Sequence, residues 1–227
     1  MQAVVLAGGL GTRLRGAIPD AIPKPMAEVA GRPFLSWLLD RFVGSGATDI
    51  VLLVGHRAEA ITSVIGDRWR GVPVRYSTEL RPLGTGGALS AALPLLAERF
   101  IVANGDTVVD CDLRQLLRTT DRDAFAMAVA AVPDVARFGG VRVDAGRALE
   151  LVEKGPSGPG TINAGVYAMR RSFVESFPDR RPLSFERDVM ESHVRASHPP
   201  VVRATGTFFD IGVPADLVAA DRWFRRT

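Results

Sequence analysis

The chain of 227 residues has the length of one large domain or at most two small ones, and its 47% hydrophobic and 23% charged residues exclude a disordered chain. A single cysteine, Cys111, excludes a disulfide framework and a cysteine-based zinc site. The net charge of +3 comes from arginines scattered among acids, which is not the basic patch of a nucleic-acid-binding protein.

The first half of the chain alternates short apolar runs with amphipathic stretches. The runs predict buried strands at 2–7, 49–54, 73–77 and 100–104. The stretches predict a helix from Phe34 to Phe42 and helices at 57–66 and 86–97, the last disturbed by Pro94. This alternation predicts βαβ units in a mixed, mostly parallel sheet flanked by helices.

The second half is richer in strands. Strand-like runs cover 125–132, 139–143, 148–153 and 161–169, and helices return near 184–196 and 214–225. No repeat or linker separates the two halves. We therefore expect a single α/β domain over 1–227, with a nucleotide-binding half at about 1–120 and a β-richer substrate half at about 121–227.

Targeting signals are not evident in this sequence. No apolar stretch has the length of a membrane span, and the residues after Met1 lack the basic and apolar regions of a signal peptide. We therefore expect a cytoplasmic protein with neither a membrane nor nucleic acid as partner.

A glycine-rich segment follows the first predicted strand. Glycine lets backbone amides approach a ligand closely, and successive amides in such a loop form an anion site, to which Arg13 adds a guanidinium suited to phosphate. The segment is not a Walker A loop, because Ala17 follows Gly16 where a lysine is needed. It is not a dinucleotide fingerprint either, because Leu14 replaces the last glycine. Taken alone, the segment leaves an ordinary tight turn open.

The next signal is Lys24, which lies between Pro23 and Pro25. The two prolines restrict the backbone on either side of the lysine. A solvated lysine in a turn is one interpretation. Because the glycine-rich segment precedes it closely, we favour a cation held on a stiff loop to meet a phosphate.

Together, Gly-Gly-x-Gly-Thr-Arg-Leu at 8–14 and Pro-Lys-Pro-Met at 23–26 resemble the sugar-nucleotidyltransferase family. The resemblance implies a loop that wraps a nucleoside triphosphate and three catalytic residues, Arg13, Lys24 and Asp106. Segment 79–88 is similar to the family's base-recognition segment, with a helix entry capped by Thr85 as the alternative. The implied nucleotide-binding residues are Leu6, Ala7, Gly8, Gly9, Gly11, Thr12, Arg13, Lys24, Glu79, Gly84, Thr85 and Gly87.

The resemblance continues along nearly the whole chain and implies Mg²⁺ as the cofactor. Asp106 follows a predicted strand at its carboxyl end, and Asp210 stands in a late motif, so the two would hold the metal with phosphate oxygens. A turn-forming aspartate is the alternative for Asp106. The implied sugar-phosphate-binding residues are Gly139, Glu153, Lys154, Asn163, Gly165 and Glu186.

Each sugar-side residue also has a simpler explanation. Gly139 suits a hairpin turn, Glu153 and Lys154 suit an exposed charge pair, and Gly165 suits a strand glycine. Glu186 has a neighbour of the same kind in Asp188, and an exposed acidic helix start explains both equally well.

The runs at 30–35, 153–155, 184–188 and 209–214 resemble the D-glycero-D-manno-heptose 1-phosphate guanylyltransferase branch of the family. The resemblance implies a Rossmann-like fold without a C-terminal β-helix domain, and a homodimer as a possible assembly. It also implies transfer of a guanylyl group from GTP to the heptose 1-phosphate, which gives GDP-heptose and pyrophosphate for nucleotide-sugar biosynthesis in lipopolysaccharide or capsule formation.

Several alternatives stay open at this point. Uridylyl or thymidylyl transfer to a hexose 1-phosphate and guanylyl transfer to mannose 1-phosphate keep the same mechanism. A catalytically inactive nucleotide-sugar sensor is a non-enzyme alternative, although it would have no need of Arg13, Lys24, Asp106 and Asp210 together. A nicotinamide oxidoreductase is disfavoured by Leu14.

Overall fold

The computed structural model describes residues 1–9, 19, 22–152 and 157–226. The strands in chain order are β1 Gln2–Leu6, β2 Glu28–Val29, β3 Arg32–Pro33, β4 Asp49–Val54, β5 Arg68–Trp69, β6 Val72–Thr78, β7 Arg99–Asn104, β8 Thr107–Val109, β9 Phe125–Val132, β10 Gly140–Asp144, β11 Arg147–Val152, β12 Gly160–Arg170, β13 Val201–Arg203 and β14 Phe208–Asp210. The α-helices are α1 Phe34–Gly44, α2 Ala58–Ile65, α3 Thr85–Ala91, α4 Leu113–Thr119, α5 Arg171–Glu175, α6 Glu191–Ser197 and α7 Pro214–Phe224.

Three shorter helical segments complete the described structure. Lys24–Met26 and Leu93–Leu95 form single turns of 3₁₀-helix, and Glu186–Met190 forms a π-helix directly before α6. By its contacts the chain divides into two compact units. Unit 1 comprises Met1–Pro82, Ala103–Val108 and Phe209–Thr227, and unit 2 comprises Leu83–Val102 and Val109–Phe208.

Unit 1 is built on the parallel strands β1, β4 and β6. Val4 lies opposite Val51 across the first pair of strands, and β5 joins the far side of β6 in antiparallel orientation. Val4 and Val51 are fully buried, as expected for parallel strands with both faces covered. Helix α7 packs against α1 through Phe224, whose ring centroid lies 4.4 Å from that of Trp37 and 6.4 Å from that of Phe34.

Unit 2 is built on the antiparallel pair β9 and β12, with β13 running parallel to β9. Its core is aromatic: the ring centroids of Phe125, Tyr167 and Phe185 lie 5.1 to 5.8 Å apart, and all three side chains are fully buried. Strands β10 and β11 form a separate hairpin. Strand β7 begins in unit 2 and ends in unit 1.

The predicted fold class is confirmed: the sheet is mixed and mostly parallel, and helices flank it. Strands β4 and β9 have the predicted bounds, and β1 and β6 agree with prediction to within one residue at each end. The helix predicted at 86–97 stops at Ala91, because Pro94 cannot donate a backbone hydrogen bond and the chain tightens into a 3₁₀ turn. Over the described residues no helix is long and apolar enough to cross a membrane.

Candidate active site

Gly8, which follows β1, and Gly55, which follows β4, lie against the side chain of Glu79. The backbone amide of Ala7 donates to the carbonyl oxygen of Leu53 at 2.8 Å and carries β1 to Gly8. A Cβ atom added at Gly8 would lie 2.8 Å from Oε1 of Glu79, and one added at Gly55 would lie 2.7 Å from the same oxygen. A side chain at Gly8 or Gly55 would therefore force Glu79 out of this position, whereas the space beside Gly9 is open.

Gly11, Thr12 and Arg13 lie outside the described residues, as do Glu153 and Lys154. Their predicted roles stay predictions that rest on the sequence motifs.

Lys24 is held by a short, rigid turn. The amide of Met26 donates to the carbonyl oxygen of Pro23 at 2.8 Å, and the amide of Ala27 donates to that of Lys24 at 3.1 Å. Both prolines and the lysine itself are buried, and Lys24 is only 8% exposed. A lysine in this position needs anionic partners, because an unpaired buried ammonium is costly.

Two carboxylates meet the ammonium of Lys24. Its Nζ atom donates a hydrogen bond to Asp106 and lies 3.8 Å from Oδ1 of Asp210. The structure therefore brings together three residues that stand far apart in the sequence and that the motifs assigned to catalysis and metal binding. The carboxylates are each about one quarter exposed, so the cluster is open to a ligand.

Backbone geometry fixes Asp106. It follows Gly105, whose amide donates to the carbonyl oxygen of Leu6 at 2.9 Å at the end of β1. A Cβ atom at Gly105 would lie 2.8 Å from that oxygen and 3.2 Å from Cγ of Pro25. The carbonyl oxygen of Asp106 accepts from the amide of Ile211 at 3.0 Å, which ties the two metal-motif segments together.

Asp210 depends on a second glycine, which sequence reasoning did not single out. A Cβ atom at Gly212 would lie 2.7 Å from Oδ1 of Asp210 and 3.6 Å from Nζ of Lys24. Gly212 thus leaves room for the carboxylate of Asp210, whereas Gly105 lets the backbone before Asp106 approach the carbonyl oxygen of Leu6. Each stands one or two positions from its aspartate, and this adjacency was the available signal in the sequence.

The donor set of this cluster suits Mg²⁺. Among the described residues, no three or more histidine, cysteine, aspartate or glutamate side chains lie close enough together to hold a metal ion by themselves. They do bring the two carboxylates of Asp106 and Asp210 to one cation, Lys24. Mg²⁺ is normally held by one or two carboxylates together with substrate phosphates and water, so this pair fits such an ion.

In unit 2, the glycines of segment 84–87 have a packing role. The carbonyl oxygen of Leu183 accepts from the amides of Gly86 and Gly87 at 2.9 and 3.2 Å. A Cβ atom at Gly84 would lie 2.4 Å from that carbonyl oxygen, and one at Gly87 would lie 2.8 Å from Cδ of Arg181. The close approach of the loop around Leu183 thus accounts for these glycines, and a nucleobase contact by Gly84 or Gly87 stays a prediction.

Thr85 is the first residue of helix α3, but the N-cap of this helix is Gly84, so the capping interpretation is wrong. Its hydroxyl instead donates to Oε2 of Glu186 at 2.7 Å and accepts from the amide of Phe185 at 2.8 Å. One predicted nucleotide-binding residue is therefore joined directly to one predicted sugar-binding residue.

Asp188 and Glu186 differ in their surroundings. Asp188 accepts from the amide of Ser184 at 2.7 Å and pairs with Arg180 at 2.7 Å. The hydrogen bond from Ser184, aided by Arg180, lowers the pKa of Asp188 below its usual value. Glu186 makes no ion pair with a described residue and uses only Oε2 for hydrogen bonds, to Thr85 and, at 3.3 Å, to Ser184.

Asn163 and Gly165 shape a bulge in β12. The register between β12 and β9 breaks between Asn163 and Tyr167, and Gly165 has a positive φ of 67°. The side chain of Asn163 accepts from the amide of Gly165 at 3.0 Å and donates to the hydroxyl of Tyr167 at 2.7 Å. Gly139 also has a positive φ, 79°, and its amide donates to the carbonyl oxygen of Val135. This geometry suits the turn that the sequence offered as the alternative to a sugar-binding role for Gly139.

Comparisons with known proteins agree with this arrangement. Residues 2–225 match the model of the nucleotidyl transferase family. The chain is 35% identical over 217 residues to a D-glycero-alpha-D-manno-heptose 1-phosphate guanylyltransferase of Campylobacter jejuni. This alignment covers 95% of this chain and 96% of the relative. It is 32% identical over 225 residues to the enzyme of that name from Aneurinibacillus thermoaerophilus, covering 98% and 97%.

A solved structure is similar over nearly its whole length. The crystal structure of HddC from Yersinia pseudotuberculosis complexed with GMP-PN superimposes with a TM-score of 0.86 at 35% sequence identity, covering 98% of this chain and 99% of that one. The match to the family spans almost every residue, and the motif residues Lys24, Asp106 and Asp210 converge in space. The chain therefore belongs to the nucleotidyl transferase family and is a nucleotidyltransferase.

Proposed function

We propose that this enzyme transfers a guanylyl group from GTP to D-glycero-α-D-manno-heptose 1-phosphate. The observation that carries the proposal is the near-full-length similarity, at 35% and 32% identity, to two heptose 1-phosphate guanylyltransferases. GTP as the donor is supported by the structural neighbour that was crystallised with GMP-PN. The products are GDP-heptose and pyrophosphate.

The chemistry is an in-line displacement at phosphorus. An oxygen of the sugar phosphate forms a bond to the α-phosphorus of the triphosphate. The bond from that phosphorus to the oxygen bridging to the β-phosphate breaks, and pyrophosphate leaves with the electron pair. Because the nucleophile is already an anion at neutral pH, no general base is required, and positioning and charge neutralisation dominate the rate.

Lys24 is the first residue to which we assign a role. It is buried, held by a rigid turn and cationic, so it suits contact with the reacting phosphates. Asp106 and Asp210 would hold Mg²⁺, which when bound neutralises phosphate charge and fixes phosphate geometry. Arg13 would stabilise the leaving pyrophosphate, as the sequence motif suggests.

The remaining assignments follow the motifs. Nucleotide binding is assigned to Leu6, Ala7, Gly8, Gly9, Gly11, Thr12, Glu79, Gly84 and Gly87, in addition to Arg13 and Lys24. Binding of the sugar phosphate is assigned to Gly139, Glu153, Lys154, Asn163, Gly165 and Glu186, with Lys154 as the contact to the incoming phosphate. The enzyme would act in the cytoplasm, where nucleoside triphosphates are supplied, and a homodimer is a prediction that light scattering can test.

The test is pyrophosphate release in the presence of Mg²⁺. GTP, UTP, dTTP, CTP and ATP are each combined with heptose, mannose and glucose 1-phosphates. A preference for GTP with the heptose phosphate is expected. A preference for UTP or dTTP with a hexose phosphate would keep the mechanism and overturn the substrate assignment, and mannose 1-phosphate with GTP would overturn the sugar alone.

A further inference from the structure

The contact between Thr85 and Glu186 distinguishes Glu186 from Asp188, two acidic residues between which the sequence could not choose. Asp188 is occupied, because Ser184 and Arg180 hold its two oxygens. Glu186 is half-buried, carries no ion pair with a described residue, and keeps Oε1 without a hydrogen bond from the described part of the chain. A carboxylate with one oxygen held and the other available is a ready acceptor for hydroxyl groups.

The hydroxyl of Thr85 has little capacity left for another ligand. A threonine hydroxyl has one donor hydrogen and two acceptor sites. The hydrogen is given to Oε2 of Glu186 at 2.7 Å, and one acceptor site takes the amide of Phe185 at 2.8 Å. Because the donor is already used, the hydroxyl is poorly suited to donate to a phosphate or a nucleobase.

Two features keep this hydroxyl in place. Thr85 is the first residue of α3, and the glycines on either side allow its backbone to lie against Leu183, whose carbonyl oxygen accepts from the amide of Gly86 at 2.9 Å. Glu186 begins a π-helix immediately after Phe185, a fully buried residue of the aromatic core. The two partners are thus anchored on both sides.

We propose that Thr85 is a positioning residue that orients Glu186 for the hydroxyl groups of the sugar, and that Glu186 rather than Asp188 sets sugar affinity. The inference rests on the proposed function, because it requires a sugar phosphate as the second substrate. It changes the role of Thr85 from a nucleotide contact through its side chain to a residue that acts through Glu186.

The test compares Michaelis constants for the two substrates in Thr85→Val, which keeps the shape of the side chain and removes the hydroxyl. We expect the KM for the sugar phosphate to rise about five- to tenfold, because Glu186 loses the hydrogen bond that orients it as an acceptor. The KM for the nucleotide should stay within about twofold. Thr85→Ser keeps the hydroxyl and should restore the sugar KM. A rise in the nucleotide KM alone, or no change in either constant, would overturn the proposal.

Glu186→Gln provides an independent variant. It should raise the sugar KM at least as much as Thr85→Val does, and Asp188→Asn should raise it less. In the double variant the two effects should not add, because each removes the same interaction. Additive effects would show that Thr85 does not act through Glu186.

Two controls distinguish a loss of stability in Thr85→Val from a loss of sugar binding. Thr85→Val also leaves the amide of Phe185 without its acceptor, so melting temperatures are measured and kinetics are run well below them. If Thr85→Val does not fold, the selective effect of Glu186→Gln on the sugar KM still decides whether Glu186 sets sugar affinity.

The wild-type enzyme is first assayed with each sugar phosphate. Absence of activity with all of them contradicts the proposed function, whereas normal wild-type activity with unaltered variants contradicts only this inference.

Discussion

At the scale of residues, the site depends on one cation that contacts two carboxylates. Lys24 is buried, and its ammonium hydrogen-bonds to Asp106 and lies 3.8 Å from Asp210. The lysine thus neutralises in part the charge that a divalent metal ion would also neutralise. An ammonium and a metal ion beside the same carboxylates repel one another, so Lys24 is expected to weaken metal binding when no phosphate is present.

The variant Lys24→Met tests both roles of the lysine. Turnover should fall on the order of 10²-fold or more, as when an electrostatic donor to a transition state is removed. Mn²⁺ should bind more tightly in the absence of nucleotide, because the competing cation is gone; calorimetry or electron paramagnetic resonance measures this affinity. Arg99→Met, which removes one positive charge from a surface ion pair, serves as the control. Near-normal turnover would remove Lys24 from the mechanism.

Gly212 gives a second prediction at this scale. In Gly212→Ala the new Cβ atom would lie 2.7 Å from Oδ1 of Asp210, so this carboxylate must move. We expect kcat to fall about tenfold or more, since small displacements of catalytic groups are costly. The matched control is Gly44→Ala, where no atom lies within 4 Å of the added Cβ. If both variants keep normal activity, the position of Asp210 is not critical.

At the scale of elements, helix α6 joins the aromatic core of unit 2 through a histidine. The ring of His193 lies 4.6 Å from that of Phe173 and 5.6 Å from that of Phe125, measured between centroids. Burial lowers the pKa of His193 below its usual 6.5, although Asp123 acts in the opposite direction. The charged form of the imidazole is therefore disfavoured in the folded protein.

This lowered pKa predicts a loss of stability in mild acid. Below about pH 6.5 the unfolded chain binds the proton more strongly than the folded one, so the free energy of unfolding falls as the pH decreases. The loss ends once the pH is below the pKa in the folded protein. Urea unfolding between pH 7.5 and 5 measures this loss, and His193→Phe should reduce the slope of the free energy of unfolding against pH. An unchanged slope in His193→Phe would contradict the assignment.

At the scale of the whole molecule, the long strands and helices were predicted well from the sequence, and the short helices and their capping residues were predicted poorly. Buried strands such as β4 are evident because parallel strands are continuously apolar. Helix α4 was not predicted, although Asp112 caps it by accepting from the amide of Gln115 at 2.8 Å. A short helix with one capping residue carries too little periodicity to stand out.

The site was predictable where motifs are local. Lys24, Asp106 and Asp210 each stand in a recognisable run, and the structure brings all three together. The bond between Thr85 and Glu186 was not predictable, because it joins residues 101 positions apart. The same holds for Glu79, whose place against Gly8 and Gly55 depends on the arrangement of β1, β4 and β6.

The central claim is guanylyl transfer to a heptose phosphate, and one measurement tests it most directly. GTP and Mg²⁺ are supplied with D-glycero-α-D-manno-heptose 1-phosphate or with mannose 1-phosphate, and kcat/KM is determined from pyrophosphate release while mass spectrometry identifies the nucleotide sugar. The account predicts GDP-heptose as the product and a higher kcat/KM for the heptose phosphate. Equal or greater efficiency with mannose 1-phosphate, or no GDP-heptose, would contradict it.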